Sequence, residues 1–193
     1  MKSICVYCGS ANQASPKYFQ AARQMGETLA HQGLTLVYGG GRTGLMGALA
    51  DSVLENGGQV LGVITESMNT PELVHTSLTR LEVTTTIHQR KARMYALADG
   101  YLALPGGYGT LDELFETLTW AQIGEHQKPV GILNVDGYYN LLLQMLDRAV
   151  QEKLLFPEHR AALLCASEPE KLLELMAAHR YPHEAVARWM RQD

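Results

Sequence analysis

Short apolar segments alternate with helix-type patterns along most of the chain. The segments are rich in Val, Ile, Leu and Tyr, and several of them end in glycine, as strands buried on both faces do. When such strands alternate with helices, they predict βαβ units and a parallel sheet covered on both sides. We therefore expect residues 1–193 to form one doubly wound, Rossmann-like α/β domain with a helical C-terminal tail.

The pattern gives approximate bounds for each element. The predicted strands are Ser3–Tyr7, Leu34–Tyr38, Gln59–Ile64, Leu81–Thr84, Gly100–Leu104 and Val130–Asn134. The predicted helices run from Pro16 towards Gly33 and over Gly44–Asn56, Ile87–Ala98, Leu111–Ile123 and Tyr138–Gln151. Thr65–Thr79 is a predicted polar loop, and the tail from about residue 153 is predicted to be helical, with breaks at Pro157, Pro169 and Pro182.

Composition narrows the class of protein. The chain has 193 residues, is 46% hydrophobic and carries a net charge of −4, so it can bury one core and has no basic excess for general nucleic-acid binding. No apolar stretch approaches the length of a membrane span, and the N-terminus does not resemble a signal peptide. These features predict a cytoplasmic protein that binds neither nucleic acid polymers nor membranes.

Cysteine and histidine spacings do not predict a redox or metal site. Cys5 and Cys8 form a C-x-x-C, but they lie along a strand pattern, which favours buried thiols over a reactive pair. His179 and His183 have metal-pair spacing on a helix, but Pro182 breaks the helix that this spacing assumes. We expect no metal site.

One glycine-rich segment matches a dinucleotide-binding pattern. Gly39–Gly44 reads G-x-G-x-x-G between a predicted strand and a predicted helix, and Glu66 follows 22 positions after Gly44. An NAD(P)-dependent oxidoreductase is therefore one hypothesis. It is weakened because the chain leaves little room for a substrate domain and has a second glycine-rich loop with its own carboxylates.

That second loop lies in Tyr101–Glu116, where a strand runs through glycines into a helix. Unpaired N–H groups at such a helix N-terminus bind phosphate, with the positive end of the helix dipole behind them. Asp112 and Glu113 stand in the same first turn, where a simple phosphate site gains nothing from negative charge. Glu113 is either half of a capping box with Thr110 or a catalytic carboxylate.

The preceding predicted helix carries Arg90, Lys91 and Arg93. A solvated charge run explains Arg93, but Arg90 shares a face with Ile87 and Met94. An arginine at the edge of an apolar face needs an anionic partner. A substrate phosphate or Glu113 would serve, and the sequence leaves both open.

These motifs resemble the LOG ("lonely guy") family of cytokinin riboside 5′-monophosphate phosphoribohydrolases, long mislabelled as lysine decarboxylases. The resemblance rests on PGGYGTLDE at Pro105–Glu113 and HQRKARM at His88–Met94. It extends through CVYCGS at Cys5–Ser10, YGGGRTGLMG at Tyr38–Gly47, TWAQIG at Thr119–Gly124 and KPVGILNVDGYYN at Lys128–Asn140. It covers about the first three-quarters of the chain, with Asp112 standing where many members have Glu.

The resemblance implies hydrolysis of the N-glycosidic bond of a nucleoside 5′-monophosphate, either AMP or a cytokinin riboside 5′-monophosphate, without metal or cofactor. It implies a homodimer and makes Arg90 and Glu113 the catalytic pair. The residues expected to bind substrate or line its crevice are Ser10, Gly40, Gly41, Arg42, Met46, Glu72, Lys91, Gly106, Gly107, Tyr108, Gly109, Thr110, Leu111, Asp112 and Thr119. A non-catalytic nucleotide carrier and the oxidoreductase remain alternatives, whereas lysine decarboxylation lacks a pyridoxal-phosphate lysine context.

Overall fold

The structure, a computed structural model, describes residues 1–181. Its strands are β1 (Ser3–Tyr7), β2 (Thr35–Tyr38), β3 (Val60–Thr65), β4 (Arg80–Thr84), β5 (Gly100–Ala103), β6 (Val130–Leu133) and β7 (Leu163–Ala166). Its α-helices are α1 (Pro16–His31), α2 (Gly44–Glu55), α3 (Ile87–Leu97), α4 (Tyr108–Gln122), α5 (Asn140–Gln151), α6 (Pro157–Ala161) and α7 (Pro169–Ala178). Two single-turn 3₁₀ helices, Glu66–Met68 and Val135–Gly137, follow β3 and β6.

All seven strands form one parallel sheet in the order β4-β3-β2-β1-β5-β6-β7. The chain moves outward from β1 to β4 and then returns to the other side of β1 with β5. This reversal makes the gap between the carboxyl ends of β1 and β5 the topological switch point, where ligands bind in such sheets. The Gly9 N–H donates to the Pro105 carbonyl across the gap at 3.1 Å, which holds the two strand ends together.

Two apolar cores cover the faces of the sheet. Helices α1, α2 and α7 pack on one face, and α3, α4 and α5 pack on the other. Local signals fix the ends of several helices. Pro16 begins α1, the left-handed Gly33 follows its end, and the Thr86 hydroxyl caps α3 by accepting from the Gln89 N–H at 3.2 Å. The predicted doubly wound α/β fold is confirmed.

Two predicted elements are wrong in detail. The tail after residue 153 is not wholly helical, because Leu163–Ala166 forms β7 and pairs with β6. In addition, α4 begins at Tyr108 instead of Leu111, so the glycine-rich loop enters the helix three residues early. Pro157 and Pro169 begin helices α6 and α7, whereas the break predicted at Pro182 lies outside the described residues. No helix within residues 1–181 is both long and apolar enough to cross a membrane.

Candidate active site

A cleft of about 600 Å³ opens at the switch point, within the size range of small-ligand sites. Its walls come from the β1–α1 loop, the β2–α2 loop, the segment after β3, helix α3 and the start of α4. The lining residues are Cys8, Gly9, Ser10, Asn12, Gly39, Gly41, Thr43, Met46, Ile64, Met68, Leu73, Arg90, Gly107, Tyr108, Gly109, Thr110 and Glu113. The charged side chains of the lining come from α3 and α4, and Met46, Ile64, Met68 and Leu73 supply apolar surface.

The N-terminus of α4 opens directly into this cleft. Gly107 is its N-cap residue and has no side chain with which to cap the first turn. The Tyr108, Gly109 and Thr110 N–H groups therefore occupy the positions that have no acceptor within a helix. Thr110 does not form the predicted capping box. Its buried side chain packs where a Cβ on Gly106 would stand, so the loop needs glycine at 106.

Arg90 and Glu113 meet at the floor of the cleft. Arg90 Nη1 lies 3.2 Å from Glu113 Oε1, and the two side chains are only 11% and 14% exposed. The Arg90 Nε–H donates to the Val63 carbonyl at 2.9 Å, so the end of β3 also holds the guanidinium. Of the two roles that the sequence left open for Arg90, this geometry supports orientation of Glu113.

Two neighbours shape this pair. A Cβ on Gly39 would overlap Arg90 Nη2, so glycine at the end of β2 makes room for the guanidinium. Burial raises the pKa of the Glu113 carboxyl above its ordinary value, and the adjacent Arg90 charge opposes that rise. The result is a carboxylate that is more basic than an exposed one but keeps a cationic partner.

Lys91 lies beside the pair but points elsewhere. Its Nζ is 3.1 Å from Asp112 Oδ2 and 2.9 Å from Glu116 Oε1, and its side chain is largely buried. These carboxylates raise its pKa against the opposing effect of burial, which is the largest single influence. Lys91 thus joins α3 to the first two turns of α4 on either side of Glu113.

At the β2–α2 loop, unlike at the α4 N-terminus, backbone N–H groups at the start of the helix are hydrogen-bonded within the protein. The Gly44 N–H donates to Asn12 Oδ1 at 2.7 Å, and the Leu45 N–H donates to the Gly9 carbonyl at 2.9 Å. Met46 fills the space beside Gly41. The first two N–H groups of the helix, which a dinucleotide phosphate would use, are therefore already bonded within the protein, and this argues against the oxidoreductase hypothesis.

The cysteines behave as the sequence predicts. Cys5 and Cys8 are buried free thiols, and burial raises the pKa of both well above its ordinary value. A thiol in that state is not a nucleophile at neutral pH. Of the histidine pair, His179 follows α7 and His183 lies outside the described residues. Within residues 1–181, no three His, Cys, Asp or Glu side chains are grouped so that they could hold a metal ion.

The predicted site residues divide into two groups. The cleft brings together Ser10, Gly41, Met46, Arg90, Gly107, Tyr108, Gly109, Thr110 and Glu113. The others lie beside the cleft or farther away: Gly40, Arg42, Glu72, Lys91, Gly106, Leu111, Asp112 and Thr119. Glu72 is exposed on the loop beside Gly41, and Thr119 is exposed on α4, 11 positions beyond the helix start, about 16 Å along its axis. Their roles stay predictions.

Sequence reasoning missed several cleft residues. Asn12, Met68 and Leu73 line the cleft. Met68 and Leu73 fall in the predicted polar loop, where Glu72 is the one predicted substrate-binding residue. The Leu73 carbonyl accepts from the Arg42 N–H at 2.8 Å, and this contact brings the loop against the β2–α2 segment. The sequence signal for these residues is the presence of apolar side chains in an otherwise polar loop, since such side chains indicate that part of the loop packs against another surface.

Fold and site together define a doubly wound α/β protein that has a cleft at the switch point and a buried Arg90–Glu113 ion pair inside it. A protein-family model described as possible lysine decarboxylase matches residues 46–176. A cytokinin riboside 5′-monophosphate phosphoribohydrolase of Arabidopsis thaliana is 46% identical over 172 residues, covering 89% of this chain and 79% of that protein. The chain belongs to the LOG family, whose members carry that phosphoribohydrolase name.

Further comparisons extend this picture. A probable cytokinin riboside 5′-monophosphate phosphoribohydrolase of Oryza sativa subsp. japonica is 43% identical over 185 residues, which is 96% of this chain and 74% of that protein. Among solved structures, the molybdenum cofactor binding protein of Rippkaea orientalis aligns with a TM-score of 0.70 and 26% identity, over 92% of this chain and 97% of that chain. The fold is thus shared with proteins whose names state different roles.

Proposed function

We propose that this protein hydrolyses the N-glycosidic bond of nucleoside 5′-monophosphates, releasing the free base and ribose 5-phosphate. The observation that carries the proposal is the buried Arg90–Glu113 pair beside the open N-terminus of α4. A phosphate bound at that N-terminus would place the attached ribose near the carboxylate. Family membership supports the same reaction, because its named relatives are cytokinin riboside 5′-monophosphate phosphoribohydrolases.

Glu113 has the properties that this reaction needs. Cleavage of the C1′–N bond builds positive charge on the ribose, as in the oxocarbenium-like transition states of glycosidases. A carboxylate near C1′ stabilises that charge and accepts a proton from the attacking water. The water oxygen bonds to C1′, the C1′–N bond breaks, and the departing base takes up a proton. The raised pKa of Glu113 makes it a stronger base for this step.

Arg90 and the loop supply orientation. Arg90 keeps Glu113 ionised and fixes one carboxylate oxygen, while the α4 N–H groups would hold the 5′-phosphate and so position the sugar. Apolar side chains on the opposite wall, including Met46 and Leu73, suit a purine base. The proposed substrates are cytokinin riboside 5′-monophosphates and AMP.

The central test replaces the carboxylate. The protein is incubated with AMP and with isopentenyladenosine monophosphate, and free base and ribose 5-phosphate are quantified. Glu113→Gln is expected to reduce kcat roughly 10²–10⁴-fold while substrate still binds, because the amide cannot act as a base. Glu174→Gln on α7, an exposed carboxylate outside the cleft, is the control and should keep kcat within about threefold.

Two results would oppose the proposal. If folded wild-type protein released no base from either nucleotide, the enzyme hypothesis would fail. If Glu113→Gln turned over substrate at the wild-type rate, Glu113 would not be the base.

A non-catalytic carrier is the second candidate, favoured by the likeness to the molybdenum cofactor binding protein of Rippkaea orientalis. A carrier would bind a phosphorylated ligand through the same α4 N-terminus and release it unchanged. Calorimetric binding of AMP with no product over hours would favour the carrier. Product formation at a saturable rate would favour the enzyme.

Assembly and location stay predictions. We propose a homodimer, which is supported by exposed apolar side chains on α5 and just after it, namely Leu141, Met145 and Leu154. Exposed apolar groups that cluster on one helix are typical of an interaction surface. A cytoplasmic location is proposed on composition alone.

A further inference from the structure

Two adjacent tyrosines after β6 contact the loop that leads into α4. The Tyr138 hydroxyl donates to the Gly106 carbonyl at 2.6 Å, and the Tyr139 hydroxyl donates to the Leu104 carbonyl at 2.7 Å. The mechanism above uses neither side chain. Both bonds hold the same loop, but they hold different peptide units, and this difference gives them different consequences.

The Tyr138 bond fixes a peptide unit at the edge of the cleft. In a trans peptide the C=O and N–H groups point in opposite directions. Because the Gly106 carbonyl faces Tyr138, the Gly107 N–H in the same peptide faces away from it, and Gly107 lines the cleft. The hydroxyl thereby sets the direction of a donor at the open N-terminus of α4.

The Tyr139 bond has no such consequence. The Leu104 carbonyl shares its peptide unit with Pro105, which carries no N–H group. Tyr139 is buried, so its bond satisfies an inner carbonyl and supports the core. The pair of tyrosines therefore offers one hydroxyl that orients a donor and one that does not.

Tyr138 is held firmly enough to act in this way. Its ring packs edge-to-face on Tyr18 of α1, with centroids 5.5 Å apart, and on Tyr139, with centroids 5.0 Å apart. Asp136 adopts a left-handed conformation two residues earlier and forms an ion pair with Lys17. Contacts from α1 therefore fix the turn, and the turn fixes the hydroxyl.

We propose that Tyr138 is a positioning residue for the substrate phosphate: by holding the Gly106 carbonyl, it turns the Gly107 N–H towards the phosphoryl group. This proposal rests on the proposed function, because that function places the phosphate at α4. Tyr138 touches neither the sugar nor the scissile bond. Its loss should weaken recognition of the phosphate and leave the chemical step intact.

The test compares Tyr138→Phe with Tyr139→Phe, using AMP as substrate and adenosine, which lacks the phosphate, as competitive inhibitor. Tyr138→Phe is expected to raise the KM for AMP about 3- to 10-fold, the value of one net hydrogen bond, with kcat within twofold. The Ki of adenosine should not change. Tyr139→Phe should keep the wild-type KM and show a lower melting temperature.

Thermal stabilisation by a ligand, which needs no turnover, tests the positioning role of Tyr138 separately from the proposed hydrolysis. Ribose 5-phosphate should raise the melting temperature of the wild-type protein and of Tyr139→Phe more than that of Tyr138→Phe. If Tyr138→Phe had the wild-type KM for AMP, the positioning role would be overturned. Turnover of AMP by the wild-type protein would still support the proposed hydrolysis. Equal weakening of adenosine and AMP would also overturn it, because a general distortion of the cleft would then explain the loss. Phe keeps the ring packing of a side chain that is 42% exposed, so the variant is expected to fold.

Discussion

The two glycine-rich loops of this chain have similar sequence patterns and opposite physical states. At the β2–α2 loop the first two N–H groups of the helix are bonded to Asn12 and Gly9, and side chains fill the space beside Gly39 and Gly41. At the start of α4 the N-cap residue Gly107 has no side chain to cap the helix, and no atom of residues 1–181 lies within 4 Å of a Cβ placed on Gly107 or Gly109. A strand–glycine–helix motif thus indicates a ligand site only where the donors remain open.

The largest expected effect tests the packed loop. Gly44 is left-handed, and a Cβ there would overlap the backbone of Ser10 and Ala11. Gly44→Ala is expected to lower the free energy of unfolding by roughly 3 kcal/mol or more, combining conformational strain and overpacking. Urea unfolding followed by circular dichroism measures the change.

Gly57→Ala is the matched control, because Gly57 is also left-handed but has open space beside it. It should cost only about 1–2 kcal/mol, the strain alone. Equal losses in the two variants would show that the β2–α2 loop is not tightly packed.

The next effect concerns Arg90, which joins the two loops. The Arg90 charge lowers the pKa of Glu113 against burial, so Arg90→Met should raise that pKa further. Since the ionised carboxylate is the proposed base, the acid limb of kcat/KM should move to higher pH. At neutral pH kcat/KM should fall roughly 100-fold. A pH profile with AMP from about pH 4 to 9 measures both changes.

Arg93→Met serves as the control for that profile. Arg93 lies one turn along α3 and is bonded to Glu82 at 2.6 and 3.0 Å, away from the cleft. The acid limb of the kcat/KM profile of Arg93→Met should match that of the wild type. An acid limb that stays in place in Arg90→Met would break the link between this guanidinium and Glu113.

The smallest expected effect tests the open loop. Gly109 stands in the first turn of α4 with a right-handed backbone and open space beside it. Gly109→Ala should raise the free energy of unfolding by about 0.5–1 kcal/mol, because alanine loses less conformational entropy in a helix. Urea unfolding measures this gain, and a loss above about 1 kcal/mol would contradict the open state of the loop.

Sequence alone predicted the parts of the molecule that local patterns determine. The doubly wound sheet follows from six strands recognisable by composition, and the cleft follows because their carboxyl ends share one edge. The sequence does not indicate strand β7, because Leu163–Ala166 is short, apolar and flanked by helix-type residues, and only its pairing with β6 distinguishes it.

In the site, too, the sequence predicts locally determined features and does not predict those that depend on distant contacts. Because glycine disfavours helices, the sequence predicts a loop at Gly109 and places the start of α4 three residues too late. The position of Arg90 on its helix predicts an anionic partner. The sequence does not choose between a phosphate and Glu113, because that choice depends on how α3 and α4 are oriented relative to each other. The Tyr138 contact joins positions 32 residues apart and has no local signature.

The anchoring of Arg90 has a consequence for the entropy of binding. Its Nε–H is held by the Val63 carbonyl and Nη1 by Glu113, while Nη2 lies against Gly39. Fixing a free arginine side chain costs about 2 kcal/mol of rotamer entropy. In this protein that loss occurs during folding, before any ligand arrives. The cleft therefore presents a preorganised charge pair, and substrate affinity is not reduced by the need to order it.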